Sequence, residues 1–252
     1  MKVTFLGTGT STGNPEIGCQ CKVCTSADPR DWRMRASALV ETEGKHLLID
    51  CGPDFRWQMI KNRLFQLDAV LLTHEHYDHV GGLDDLRPFC RGGKDVDLYM
   101  EANVATAIRT RLPYVFREHK YPGVPNLELH TVTMEPFRAA GVEVIPIRVM
   151  HARLPILGFR IGNMAYLTDM KSLPEEEYAK LEGLDLLVLD ALRAEPHLSH
   201  QSVSEALAQI ERIAPKESYL IHMSHRIGLH AEVDPLLPPH VHYAYDGLVV
   251  YC

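Results

Sequence analysis

The sequence predicts an α/β protein in which two sheets pack together with helices outside, as one domain over residues 1–252. Three observations lead there. Short strand-like runs recur along the whole chain, helical patterns are interspersed in both halves, and no low-complexity linker divides them. A chain of 252 residues, 46% of them hydrophobic, can bury a substantial core without a disulfide scaffold.

The first run, 3–6, opens into GTGTSTG, so the start reads as a strand and turn rather than a signal peptide. Runs at 38–41 and 46–49 follow, the second ending in Asp50, Cys51 and Gly52, where a loop begins. A helical pattern covers 54–62, a strand 69–72 and a second helix 103–111. Residues 113–125 read as a surface loop rich in proline and histidine. Strands at 142–147, 158–161 and 165–167 precede a helical pattern at 174–181. A strand at 186–189 leads to the last helix, 202–213, with Val203, Leu207 and Ile210 on one face and a capping-box start at Ser202 and Glu205. A strand at 219–221, a second Pro/His-rich loop at 229–240 and a strand at 248–251 complete the chain.

Composition narrows the function. The balance of 26 basic against 33 acidic residues, a net charge of -7, argues against wrapping nucleic acid by bulk electrostatics, although a local basic pocket is allowed. Charged residues interrupt every apolar run before the roughly 18 residues needed to cross a bilayer, so no transmembrane helix is expected. The 14 histidines are the feature to explain, because neutral imidazole is the commonest metal ligand. The six cysteines divide unevenly: Cys19, Cys21 and Cys24 lie within six residues, while Cys51, Cys90 and Cys252 are scattered. Three close thiols without a secretory signal suggest a metal clip at 19–24 in a reducing compartment, and a cytoplasmic location is expected.

The decisive segment is DAVLLTHEHYDHVGGLDDL. A short apolar strand delivers His74, His76, Asp78 and His79 into a turn, with Gly81 and Gly82 before the next helix. Alternate residues of an extended segment point the same way, so His74 and His76 can reach one ion, while Asp78 and His79 follow the bend and can face a second. The bland alternative is a solvated histidine-rich loop. It fits poorly, since four ligand-type residues crowded at a strand end need partners.

These residues resemble the HxHxDH motif that defines the metallo-β-lactamase superfamily, and the resemblance runs along nearly the whole chain. LLIDCG supplies Asp50, VMHAR His151, AYLTDM Asp169, LVLDA Asp190 and YLIHMSH His222, each after a hydrophobic strand. The resemblance implies a four-layer αββα sandwich and two divalent ions, zinc or manganese. One ion would be held by His74, His76 and His151, the other by Asp78, His79 and His222, with Asp169 bridging. Two ions roughly 3.5 to 4 Å apart can share a hydroxide, which then serves as nucleophile. Asp50 and Asp190 are expected behind the ligands, accepting an imidazole N–H. For Asp50 a simple turn role in Asp-Cys-Gly-Pro stands equally open.

Cys19, Cys21 and Cys24 lack a fourth ligand for tetrahedral zinc, and His225, three residues beyond His222, is the candidate. Three buried or redox-active cysteines are the alternative. This CxCxxC clip plus late histidine resembles the cyclic phosphodiesterases of the bacterial carbon–phosphorus lyase pathway, which carry one structural zinc. That subfamily places a histidine before the last long helix, near the substrate. EPHLSHQSVSEAL offers both His197 and His200, and the distance to the helix favours His200 as general acid or phosphate-orienting group. A surface histidine pair is the alternative. Asp78 and His200 are the candidate catalytic residues.

The resemblance thus implies a metal-dependent phosphodiesterase acting on a small, cyclic phosphoribosyl-type diester. Arg33, Arg35, Arg153 and Arg193 lie beside the clip or the motif loops and could grip a second phosphate, although for any one of them an ordinary surface arginine is the favoured reading. A homodimer is the state the subfamily implies, with no strand edge assigned to it. Two rivals differ in features of the chain. The tRNA 3′-processing nucleases share the motif but use an extended basic arm, and residues 113–125 are short and only mildly basic. The pyrroloquinoline quinone accessory protein has a similar clip but a degenerate motif, whereas HEHYDH here is complete.

Overall fold

In the computed structural model, which describes Met1–Cys252, two seven-stranded sheets carry the chain. The first contains β1 (Lys2–Gly7), β2 (Ser37–Thr42), β3 (Lys45–Ile49), β4 (Ala69–Leu71), β5 (Val96–Met100), β6 (Leu127–Thr131) and β14 (Val249–Tyr251), in the order β14-β1-β2-β3-β4-β5-β6. The second contains β7 (Phe137–Ala139), β8 (Val142–His151), β9 (Leu154–Ile161), β10 (Met164–Leu167), β11 (Leu186–Asp190), β12 (Glu217–Ile221) and β13 (Val241–Tyr243), in the order β13-β12-β11-β10-β9-β8-β7. Both are mixed. Strands β3 to β6 are parallel and β14 to β3 antiparallel, while β10 to β13 are parallel and β7 to β10 antiparallel.

Alternation along the strands explains the layers. Val3, Phe5, Ala38, Val40, Leu47 and Ile49 face Leu157, Phe159, Tyr166 and Val188 of the other sheet. The opposite faces of the first sheet, including Leu39, Leu48 and Val70, pack on α1 (Phe55–Lys61), α2 (Tyr77–Val80) and α3 (Ala102–Arg111). Leu187, Leu189 and Leu220 of the second sheet pack on α4 (Val203–Ile213) through Ala206 and Ile210. The expected four-layer αββα sandwich is the fold. Helix α4 starts at the predicted capping box, both of whose hydrogen bonds are present. No helix is long and apolar enough to cross a membrane.

All ten expected strands lie in or largely within observed ones, but β5, β6, β7 and β13 were not expected. Three further expectations need correction. The pattern at 174–181 is a 3-10 helix, Glu175–Leu181, whose tighter pitch brings Glu177 and Lys180 into an ion pair of 2.9 Å. The loop at 113–125 begins as a 3-10 turn, Pro113–Phe116, because Val115 is drawn into the core. The loop at 229–240 contains α5 (His230–Val233) and a 3-10 turn, Asp234–Leu236, anchored where the buried Asp31 accepts the His230 N–H.

Strand direction positions the site. Strands β1, β3 and β4 run the same way, so Thr8, Asp50 and His74 emerge at one edge of the first sheet. In the second sheet β8, β10, β11 and β12 share a direction, and His151, Asp169, Asp190 and His222 emerge together. Backbone hydrogen bonds stitch these edges: Leu157 N–H to Thr73 at 3.1 Å, Met223 N–H to Thr8 at 3.0 Å and Thr10 N–H to Met223 at 3.0 Å.

Candidate metal centre

Two compact ligand groups form where the sheet edges meet. The side-chain donor atoms of Asp78, His79, Asp169 and His222 all lie within 4.8 Å of one another, and those of His151, Asp169 and His200 form a second group on the same criterion. Asp169 belongs to both. Its Oδ2 is 3.2 Å from His79 Nε2, and its Oδ1 is 3.3 Å from His222 Nε2 and 3.8 Å from His200 Nδ1. His74 and His76 stand beside these groups. The His74 ring is 4.2 Å from that of His79, and the His76 ring is 5.3 Å from that of His151, centroid to centroid.

The residues behind the ligands fix which nitrogen each imidazole presents. Asp50 accepts from His79 Nδ1 at 2.7 Å, so Nε2 is the free lone pair. Asp50 also accepts the Thr73 hydroxyl at 2.9 Å, and because that proton is committed, Thr73 Oγ1 must accept from His74 Nδ1, again at 2.9 Å. The Ser199 carbonyl takes His151 Nδ1–H at 2.9 Å. Three histidines therefore turn Nε2 inward. His74 Nε2, His79 Nε2, His200 Nδ1 and both His222 nitrogens are buried without a hydrogen-bond partner, although several sit within ion-pair distance of a carboxylate. Such orphaned, converging nitrogen and carboxylate donors fit divalent metal ions.

Backbone strain gathers here. Asp50, Asp169 and His222 hold left-handed φ values of 60°, 53° and 57°, unusual for residues other than glycine. The Asp50 loop is clamped to the motif loop: Cys51 N–H meets His79 O at 2.8 Å and Gly82 N–H meets Cys51 O at 2.9 Å. A Cβ on Gly52 would lie 2.1 Å from Asp78 O, so only glycine permits this approach. Asp190 plays the matching part opposite, accepting the Met170 N–H at 2.6 Å and the Gln201 N–H at 3.4 Å.

Electrostatics follow the geometry. Burial disfavours ionisation of Asp169, yet His222 and His79 hold its carboxyl well below the usual range. Burial opposes the Asp78 charge in the same way, and His79 and His222 overcome it. His79 is pushed well above its ordinary value because Asp169, Asp50 and Asp78 outweigh the cost of burying its charge. Burial pushes His74 well below its ordinary value, and His79 beside it adds to that.

The cysteine clip assembles separately. His225 Nδ1 lies 3.1, 3.4 and 3.3 Å from the sulfurs of Cys19, Cys21 and Cys24, and its Nε2 lies 3.5 Å from Glu16. The Cys24 backbone N–H pulls Cys21 down to about 6, toward the thiolate a metal needs, while burial pushes Cys24 up to about 11. Three thiols and one imidazole at these distances fit a tetrahedral ion. The sulfurs of Cys51 and Cys90 are buried elsewhere.

Of the paired histidines before α4, His200 is buried and stacks 4.9 Å from His222, while His197 Nδ1 accepts the Ser199 N–H at 3.3 Å. Thr73 and the Ser199 carbonyl were not singled out from the sequence. A threonine closing a strand carries no signal by itself; its place immediately before His74 was the only one.

Residues 45–223 match the family model of the beta-lactamase superfamily domain. The chain belongs to the metallo-β-lactamase superfamily. A diphosphatase of the PhnP family, known from its crystal structure, superposes with a TM-score of 0.92 at 40% identity, covering 99% of this chain and 96% of that one. The octanoyltransferase of Porphyromonas gingivalis is 52% identical over 251 residues, 98% of this chain but 51% of its own length. The chain thus spans about half of that relative. Coenzyme PQQ synthesis protein B of Methylorubrum populi is 33% identical over 220 residues, 75% of this chain and 72% of that one. Within that superfamily the chain is similar to PhnP-like proteins, and its clustered donors fit divalent metal ions.

Proposed function

We propose that the protein hydrolyses a small phosphodiester, of the cyclic phosphoribosyl type, at a two-ion centre. His74, His76 and His151 would hold one ion, Asp78, His79 and His222 the other, and Asp169 both. When bound, divalent ions supply a water acidic enough to attack near neutral pH and draw charge from the scissile phosphate. Histidine and carboxylate donors of this kind accept zinc and manganese alike. The clip would hold a third, structural zinc.

The observation that carries the reading is His200. It is a buried imidazole with Nδ1 unpartnered, 3.7 Å from Asp190 Oδ2 and 3.8 Å from the shared Asp169. In that position it can orient a phosphate oxygen or hold the proton that the leaving oxygen requires. A metal cluster faced by such a group suits phosphoryl transfer to water. Asp50, Thr73, Asp190 and the Ser199 carbonyl orient the imidazoles around it.

The PhnP-family neighbour, a diphosphatase, supports a second substrate form, a diphosphate linkage in which phosphate replaces the alcohol as leaving group. The same residues would serve both. The octanoyltransferase name belongs to a chain about twice as long, and we assign no acyl transfer to the half matched here. A small-molecule substrate also fits better than tRNA. Residues 113–125 form a 3-10 turn and a short connection to β6 rather than an arm.

Purified protein with bis-p-nitrophenyl phosphate and Mn²⁺ or Zn²⁺ tests the reading. Metal-dependent turnover, reduced at least about 100-fold in His76→Ala, is expected. No turnover with any metal, or equal turnover by the variant, sinks it. A panel of cyclic diesters, linear diesters and diphosphates followed by ³¹P NMR then separates the two substrate forms.

A further inference from the structure

A small diester of the phosphoribosyl type carries a second phosphate that takes no part in the reaction, and a selective site must recognise it. This inference rests on the phosphodiester reading above. Recognition of a phosphate dianion calls for a cation with free donors, and the planar fork of arginine suits it. The loops at the site edge hold several cations, and nearly all are already committed.

Arg33 is buried, and its guanidinium donates to Thr8 Oγ1 at 2.9 Å and contacts His230 Nδ1 at 3.3 Å. Arg35 is locked on Asp54 at 3.1 Å and on the Ser11 carbonyl at 3.2 Å. Lys171 donates to Glu205 at 2.6 Å. Arg193 reaches the Glu195 and Pro196 carbonyls at 3.4 and 3.1 Å, and Arg226 lies 3.5 Å from the Glu195 carboxylate. Arg111 donates to the carbonyl of Glu75 inside the metal motif. Each of these holds protein to protein.

Arg153 is the exception. It is exposed and makes no hydrogen bond, ion pair or ring contact. It sits in the two-residue turn between β8 and β9, closed by the His151–Leu154 pair. His151 is one of the clustered ligand-type histidines and is pinned through Nδ1 to Ser199. The turn is stiff. Ala152 takes the left-handed φ of 53° that a tight hairpin requires, and β8 and β9 pair continuously from His151 to Ile145. The Arg153 backbone is therefore fixed two residues along the chain from the ligand-type His151, at the sheet edge where that residue emerges, and its side chain is exposed and uncommitted.

We infer that Arg153 binds the non-reacting phosphate of the substrate and sets a preference for diesters that carry one. The test compares adenosine 2′,3′-cyclic phosphate with its 5′-phosphorylated counterpart. The wild type should favour the 5′-phosphorylated probe in kcat/KM. Arg153→Gln should shrink that ratio about 10- to 100-fold, chiefly through KM, as expected for loss of hydrogen bonds to a charged group. Arg153→Lys should restore part of it. A wild type with no preference, or a ratio unmoved in Arg153→Gln, overturns the inference while leaving diester hydrolysis standing. A wild type that turns over neither probe nor bis-p-nitrophenyl phosphate removes the underlying reading, and the inference with it. A fall of kcat on both probes alike, with the ratio intact, assigns Arg153 to the hairpin and also overturns it.

Discussion

At Asp50 one carboxylate does two jobs that the sequence presented as alternatives. It sits in a left-handed turn, and it also receives His79 Nδ1 and the Thr73 hydroxyl. Asp50→Asn keeps the size of the side chain but replaces an acceptor oxygen with an amide, which would face the His79 N–H with a donor. Metal affinity at the site, measured by equilibrium dialysis, should fall about 10- to 100-fold. Unchanged affinity would reduce Asp50 to a turn residue. The ligand-type residues were legible because their chemistry is rare and each follows an apolar strand. Thr73 was not, since a threonine ending a strand is ordinary, and its function exists only once His74 and Asp50 meet across the β3–β4 pair. The arginines show the same limit. Sequence position put Arg33 near the site, but its hydrogen bonds turn it into the interior, and only the fold distinguishes it from Arg153.

Two of the missed strands, β6 and β13, share one property: their neighbours, rather than their own pattern, decide their state. Strand β6 alternates buried and exposed residues over only part of LELHT and is held as the outer parallel neighbour of β5. Strand β13 follows a proline-rich stretch and is fixed by pairing with β12. Local sequence is a weak guide for such strands, because strand preference depends on cross-strand contacts. Helix α4 was legible to the residue at its start because a capping box is a local device. The clip is also local, with one long-range member. His225 shares the turn after β12 with His222, so the fourth clip residue comes from the segment that also supplies His222 to the histidine–aspartate cluster. Cys21→Ser should lose about one equivalent of zinc while the histidine–aspartate cluster keeps its ions, as read by metal analysis after gel filtration. Retention of all the zinc would contradict the clip assignment.

For the molecule as a whole, the net charge of -7 says little about how the site works, because its behaviour turns on a few buried groups. His79 and His222 are pushed above their ordinary range by Asp169 and the neighbouring carboxylates, despite burial. A histidine whose folded value is raised stabilises the fold fully below its unfolded value, and that contribution is lost as pH rises through the folded one. From these two groups, the protein stripped of metal should therefore lose stability as pH rises above the ordinary histidine value of about 6.5. Metal ions need the same nitrogens unprotonated, so their affinity should rise over that range. Asp78 and Asp169, held well below the usual range, stay ionised throughout it and do not set the window. The two slopes are thus opposed. Thermal unfolding with chelator and with saturating Mn²⁺ or Zn²⁺ should show a metal-dependent gain in Tm that is larger at pH 8 than at pH 6. An ion present at 1,000 times its Kd contributes about 4 kcal/mol, a shift readily measured. A gain larger at pH 6 would mean that the ions do not bind through His79 and His222.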